Sequence, residues 1–267
     1  MAVLTLLTDF GVEDWYVAAV KGVVLRLAPG TQLVDVSHQV PAGDLLTGAF
    51  LLAAAVPWFP DGTVHLAVVD PGVGSARRIL AARLDAGWVV APDNGLLTHL
   101  LHRKAVRSVR SVEKPGLFLD NPGQTFHGRD RFAPVAAWLL RGNSAEELGP
   151  EIDDPVRFPW EEPRRAPGLL SGKVAHVDRY GNLVTDIPSG WLPEGDACRD
   201  CRAEIAGRQV VHRAGHYAEI PEGEAAMIPG SLGTVELSLR GEDLARRWIV
   251  ERGTAVRITW AAWPGKS

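Results

Sequence analysis

Short apolar runs alternate with stretches of helical period over the first half of the chain. Leu4 to Leu7 predicts a strand, and Val17, Val20, Val24 and Leu27 recur at helical spacing. They predict a helix from Asp14 or Trp15 through Leu27, stopped by Pro29-Gly30. Gln32 to His38 alternates as a second strand, Gly43 to Val56 reads as a helix with Asp44 in its first turn, and Thr63 to Val69 is a largely apolar and β-branched run. A run of that last kind predicts a strand buried on both faces. Strand, helix, strand, helix, strand is the order of a right-handed, mostly parallel sheet. Ile79 to Leu84 and Trp88 to Ala91 then predict a hairpin pair, Pro92-Asp93-Asn94-Gly95 a turn, and Leu96 to Leu101 a short helix. Beyond Arg107 to Val112, a helix over Phe132 to Leu140 completes this half.

The pattern changes between residues 142 and 168, where Pro, Glu and Asp accumulate and no period is sustained, so this segment reads as a linker. From Gly172 onward come short strands: Lys173 to Val177, Leu183 to Ile187, Cys201 to Ala206, Arg208 to Arg213, Met227 to Ile228, Gly233 to Leu239 and Ala255 to Ala261. One helix, Gly241 to Ile249, interrupts them. Close-spaced short strands predict a small barrel or sandwich. The expected architecture is an α/β domain with a mostly parallel sheet over residues 1–165, followed by an all-β, barrel-like domain over 166–267.

Composition narrows the function classes. Hydrophobic content of 46% with 22% charged residues is that of an ordinary globular protein. A net charge of -4 without a long basic run gives no electrostatic case for nucleic acid or a membrane surface. The apolar stretch around Ala49 to Val56 is too short to span a bilayer and is closed by Pro57 and Pro60. No basic leader precedes the first strand, so the expected location is cytoplasmic. Cys198 and Cys201 form a C-x-x-C pair in a polar loop. A zinc site there would need two further ligands, for which His212 or His216 lie within reach in sequence, whereas free thiols or a disulfide need none.

Candidate chemistry collects at strand ends, where ligands of open α/β sheets bind. Asp70 follows the buried Thr63 to Val69 strand, and Pro71 stops that strand from continuing. Gly72 and Gly74 permit close approach of backbone, and Arg77 or Arg78 can fold back on the Asp70 carboxylate as a bidentate pair. Read alone, this loop is equally a βα turn with a surface ion pair. Its glycine spacing is neither a dinucleotide nor a Walker A pattern. Asp9 stands at the end of the first strand, Asp93 at another, and His127 lies in a polar cluster before the Phe132 helix. Without further information, Asp9, Asp70 and Asp93 would suit a metal-dependent phosphate-ester hydrolase.

The collinear set Thr8-Asp9-Phe10-Gly11 with Asp14, Asp35-Val36-Ser37-His38, Val69-Asp70-Pro71-Gly72-Val73-Gly74, Ala91-Pro92-Asp93-Asn94-Gly95, Phe126-His127-Gly128-Arg129-Asp130 and Asp178-Arg179-Tyr180-Gly181-Asn182-Leu183 resembles the adenosyl-forming S-adenosylmethionine hydrolases. These are the hydroxide adenosyltransferases related to the bacterial fluorinase and chlorinase. The resemblance implies hydrolysis of S-adenosyl-L-methionine to adenosine and L-methionine by attack of water at the ribose C5′, with no metal and no added cofactor. It implies a homotrimer with sites between subunits. Residue by residue, it implies Asp70, Arg77 and His127 as catalytic groups, with Arg78 as the alternative arginine. It implies Asp9 on the ribose hydroxyls and Asp178 and Asn182 on the methionine ammonium and carboxylate, with Tyr180 and Ser231 nearby. For Asp178, Tyr180 and Asn182 the residues alone read as a β-turn. Halogenating relatives lack the acid at the Asp70 position and carry an aromatic where this chain has Gly43. Leu232 and Thr234 depart from their ring-stacking and polar neighbours. The alternatives in function are a non-catalytic binder of an adenosyl ligand and a halogenase.

Overall fold

The computed structural model describes residues 2–120, 125–193 and 200–260, and contacts divide the chain at Pro159/Trp160. In the first unit, β1 (Val3–Thr8), β2 (Gln32–Ser37), β3 (Thr63–Val68), β4 (Ile79–Leu84), β5 (Gly87–Pro92), β6 (Val106–Ser111) and β7 (Glu151–Ile152) form one sheet in the order β2-β1-β3-β5-β4-β6-β7. The first four in that order run parallel, and β4, β6 and β7 add antiparallel pairings on one side. All six residues of β3 are buried, as a largely apolar run requires of a central strand, and the His65 ring among them is bonded through Nδ1 to Thr5 Oγ1 at 2.8 Å.

Helices cover both faces. α1 (Tyr16–Leu27) and α4 (Ala133–Leu140) bury Val20, Val24, Val135 and Ala136 against Leu4, Leu6, Leu66 and Val68. On the opposite face, α2 (Leu45–Ala55) and α3 (Thr98–His102) bury Ala49, Leu52 and Leu100 against Leu7, Ala67 and Val69. Each fully buried Leu or Val contributes about 1.5–3 kcal/mol, so the alternation of β3 between the two faces fixes its register firmly. Asp44 is the N-cap of α2 rather than part of its first turn, its carboxylate accepting from the Thr47 N–H at 3.1 Å. Part of the 142–168 segment is not a linker: Ile152 and Glu151 pair with Val109 and Arg110, extending the sheet. Backbone pairing needs no side-chain period, so the sequence pattern there was silent.

The second unit contains β8 (Arg164–Ala166), β9 (Leu169–Val177), β10 (Leu183–Pro188), β11 (Arg202–Ile205), β12 (Arg208–Val210), β13 (His212–Arg213), β14 (Ala225–Pro229), β15 (Thr234–Leu239), α5 (Leu244–Trp248) and β16 (Ala255–Thr259). The strands run in the order β12-β11-β16-β9-β10-β15-β14-β13, with β8 beside β9, as a nearly closed, barrel-like sheet around Leu170, Val174, Leu183, Leu237 and Ile258. Cys201 is buried in this core, whereas Cys198 lies outside the described residues. Among the described residues no helix is long and apolar enough to cross a membrane.

α5 is shorter than its sequence suggests because both ends are closed. Asp243 caps its start by accepting from the Arg246 N–H at 2.7 Å, and Ile249 turns left-handed at φ 55°, ψ 52°. A β-branched residue is strained there, and Ile249 is 87% exposed, so no packing offsets the strain. Ile249→Gly is expected to stabilise the protein by about 1 kcal/mol, read as a rise in thermal melting temperature. An unchanged or lower melting temperature would contradict the strain.

Candidate active site

Three loops converge at the carboxyl ends of β1, β3 and β5. Because β1 and β3 are adjacent and parallel, with Thr8 opposite Val68, the residues that follow them, Asp9 and Asp70, leave the sheet side by side. Asn94, after β5, donates its side-chain amide to the Val69 carbonyl at 2.9 Å and so fixes the backbone just before Asp70. The Gly43 N–H donates to Asp9 Oδ2 at 2.9 Å, and Gly43 itself lies against Pro71. Thr8 Oγ1 is bonded to His38 Nδ1 at 2.8 Å beneath this rim.

Arg77 makes the central contact. Its Nε donates to Asp70 Oδ1 at 2.6 Å and its Nη2 donates to Asp70 Oδ2, a bidentate pair in which the two side chains are only 8% and 5% exposed. The same Nη2 lies 3.0 Å from His127 Nδ1, and the guanidinium sits over the Phe132 ring, 5.1 Å from its centroid. Adjacent side chains of an extended segment diverge, and Arg78 accordingly points elsewhere. Its Nε donates to Asp93 Oδ2 at 2.7 Å and its Nη1 to Asp154 Oδ1 at 2.7 Å. Arg77, not Arg78, therefore faces Asp70.

His127 is buried on the loop that enters α4 through one turn of π-helix, Gly128–Phe132. Arginine can only donate, so the Nδ1 that meets Arg77 is the acceptor, and the proton of the neutral ring resides on Nε2. Burial, reinforced by the charges of Arg131 and Arg77, holds the His127 pKa below its ordinary value of 6.5. Nε2 is itself buried, with no hydrogen-bond partner among the described residues. Phe10, Trp15, Tyr16 and Phe126 stack edge to face beside the Asp9 and His127 loops, and Trp15 is 56% exposed.

The second unit carries its own cleft, about 610 Å³, lined by Asp178, Tyr180, Asn182, Tyr217, Arg240 and Glu242 among others. The stretch after β9 is the β-turn that its residues suggest: Asp178 Oδ1 accepts from the Tyr180 and Asn182 N–H groups at 2.8 and 2.9 Å, and Oδ2 from the Asn182 side-chain amide at 2.8 Å. Gly181, at φ +81°, lies so close to Asp243 that an added Cβ would sit 2.0 Å from Oδ1, which ties the turn to the start of α5. Ser231 is exposed in the β14–β15 turn and is not among the residues lining the cleft. Arg240, the cation of the cleft, and Tyr217 were not singled out from sequence, because both sit in segments without a recognisable motif. Asp9, Asp70 and Asp93 each meet a different donor, and among the described residues no three potential metal-ligating side chains come together.

Two family models match the chain: the SAM hydroxide adenosyltransferase N-terminal domain over residues 4–149 and the C-terminal domain of the same family over 172–257. The chain is 40% identical to an (R)-S-adenosyl-L-methionine hydrolase of Thermus thermophilus, with 94% of this chain and 97% of that one covered. It is 39% identical to an enzyme of the same name from Salinispora tropica, covering 94% and 95%. A fluorinase of an Actinoplanes species is 29% identical, over 69% and 71%. Among solved structures, an uncharacterized conserved protein of Thermotoga maritima superposes with a TM-score of 0.88 at 30% identity, covering 97% of this chain and all of the other.

Removing Arg77 would strand a buried carboxylate. Arg77→Leu is expected to cost about 3–5 kcal/mol in urea unfolding, as for other broken buried ion pairs. Arg78→Leu should cost clearly less, because Asp154 is exposed and Asp93 keeps its bond from the Val156 N–H at 2.8 Å. Equal costs would refute the assignment of Arg77 as the inward arginine.

Proposed function

The chain belongs to the SAM hydroxide adenosyltransferase family, and from that premise we propose which of its residues carry the reaction. The protein is an adenosyl-forming S-adenosyl-L-methionine hydrolase: water attacks the ribose C5′, and adenosine and L-methionine result. Its identity to fluorinases, 25–29%, is lower than its 34–40% identity to the hydrolases. The observation that carries the residue assignment is the buried bridge in which Arg77 holds Asp70 through both oxygens and His127 through Nδ1.

Displacement at a sulfonium carbon needs no acid, because the leaving thioether is neutral. The demanding part is a weak nucleophile that must be aligned and relieved of a proton. As the new C–O bond forms, the attacking oxygen becomes strongly acidic, and an ordinary carboxylate suffices to accept its proton. Asp70 fills that role. His127 does not, since its Nε2 already carries a proton and its Nδ1 faces Arg77; it orients the guanidinium. The bidentate clamp also occupies both Asp70 oxygens, which suppresses attack by the carboxylate itself on C5′.

Asp9 is the group for the ribose hydroxyls, which two acceptor oxygens suit. Asp178, Tyr180 and Asn182 serve the methionine end, with Arg240 available to its carboxylate, whereas Ser231 lies outside the lining of that cleft. The Asp178 oxygens serve the turn as well, so its contribution to an ammonium is that of a rigidly held charge. The relatives' names specify the R form, and the same sulfonium epimer is the substrate proposed for this chain. The assembly proposed is a homotrimer with sites between subunits, an arrangement supported by the exposed aromatic surface around Trp15 beside the Asp9 and His127 loops.

Incubation with separated R and S forms in oxygen-18 water is expected to give adenosine labelled at the 5′ oxygen from the R form, already in the first turnover. First-turnover adenosine without label would mean carboxylate attack, and no adenosine at all would overturn the function. Halide-dependent halo-adenosine would indicate a halogenase.

Asp70→Asn is expected to lower kcat by about 10²–10⁴, and His127→Asn, which keeps an acceptor toward Arg77, by clearly less. Equal losses would make His127 the base. Because the native site favours neutral His127, kcat/KM should stay level as pH falls to about 6.5 and decline only below it, where protonation of Nδ1 removes the acceptor for Arg77. A decline centred above that value would contradict a lowered pKa.

A further inference from the structure

Glu236 is a buried acid that the reaction does not use. It lies on β15 of the second unit, 5% exposed, on the face of the strand turned away from the barrel-core residues Val235, Leu237 and Leu239 and beside Ile228, its partner on β14. Placing a carboxylate there costs free energy unless its oxygens are matched. One oxygen, Oε2, accepts from the Tyr217 hydroxyl at 2.8 Å. The other, Oε1, packs onto Gly230, where an added Cβ would sit 2.2 Å away, so this neighbour was kept small to admit the carboxylate. Stability alone does not account for such a group, since an apolar side chain of similar size would be neutral or better.

Tyr217 explains it. The residue stands in a single short helical turn, Tyr217–Glu219, between β13 and β14, and its ring is half exposed on the wall of the 610 Å³ cleft with Asp178, Asn182 and Arg240. A ring on so short an element has few contacts to hold it. The pKa of its hydroxyl is pushed up by burial, by the bond to Glu236 and by the charges of Glu236 and Asp178, which keeps the phenol protonated as the donor. The ring is thus anchored at its hydroxyl end, from the outer face of β15, with its face left to the cleft.

We propose that Glu236 is a positioning residue for substrate binding, fixing the Tyr217 ring as a wall of the substrate cleft. The inference rests on the reading of that cleft as the substrate's. Binding energy from a preset wall acts equally on ground and transition states, so its loss appears in KM and leaves kcat.

The test measures adenosine release by the purified protein with S-adenosyl-L-methionine, together with thermal melting. Tyr217→Phe and Glu236→Leu are each expected to raise KM about tenfold, the effect of one hydrogen bond to a charged group, with kcat unchanged. Glu236→Gln, which keeps an acceptor for the hydroxyl, should recover most of that loss. Glu236→Leu/Tyr217→Phe should be no worse than either single variant, because both remove one interaction. If Glu236→Leu does not fold, Glu236→Gln and Tyr217→Phe decide the matter. A folded Tyr217→Phe with the parent KM overturns the inference, as do KM effects that multiply or a loss confined to kcat. Parent protein that releases no adenosine would instead overturn the reading of the cleft.

Discussion

The ion pair of Asp70 with Arg77 is the constraint to which the rest of the first unit is fitted. A carboxylate this buried is tolerable only with a partner as rigid and as permanently charged as a guanidinium, and the fork of arginine matches its two oxygens. The Phe132 ring supplies the floor beneath the guanidinium, and His127 takes the remaining donor of Nη2. Asn94 holds the strand end, and Gly43 brings the Asp9 loop against Pro71. Asp70 and Arg77 share the loop between β3 and β4, His127 and Phe132 the segment that enters α4, and Asn94 and Gly43 come from two further loops. Fixing β3 in register between two apolar layers is therefore what fixes the chemistry.

The strands and helices that form this edge were legible because burial imposes a period on the sequence, and β1, β3 and α1 carry it without interruption. Asp9, Asp70 and His127 could be picked out as polar residues at the ends of such elements. Which arginine faces Asp70 could not, since two adjacent guanidiniums are equivalent until a backbone direction is given. Asp154, the partner that draws Arg78 away, is 76 residues distant in a segment with no period at all. The short strand at Glu151 and the π-turn at Gly128 were invisible for a related reason: both are defined by backbone hydrogen bonds, which leave no apolar signature.

In the second unit the balance was different. The Asp178 motif was visible, yet its residues alone argued for a turn, and a turn is what they build; the two readings are compatible, because a carboxylate locked by three N–H donors presents its charge in one place. Tyr217, Arg240 and Glu236 carried no motif. Glu236 in particular sits on the face of β15 turned away from the core residues Val235 and Leu237, where a polar residue is ordinary, and no pattern in the strand shows that it is buried there against Tyr217.

The bonds that Arg78 and Asp93 make to Asp154 and Val156 have a practical side, as does the insertion of Phe158 over Gly95, where an added Cβ would lie 2.6 Å from the ring. The match to the N-terminal family model ends at residue 149, but the polypeptide keeps closing that half for ten more residues, up to Pro159. A boundary drawn by similarity would leave Asp93 uncapped and Gly95 uncovered beside the residue that holds the Asp70 strand. For anyone excising, fusing or permuting this half, the useful cut is after Pro159.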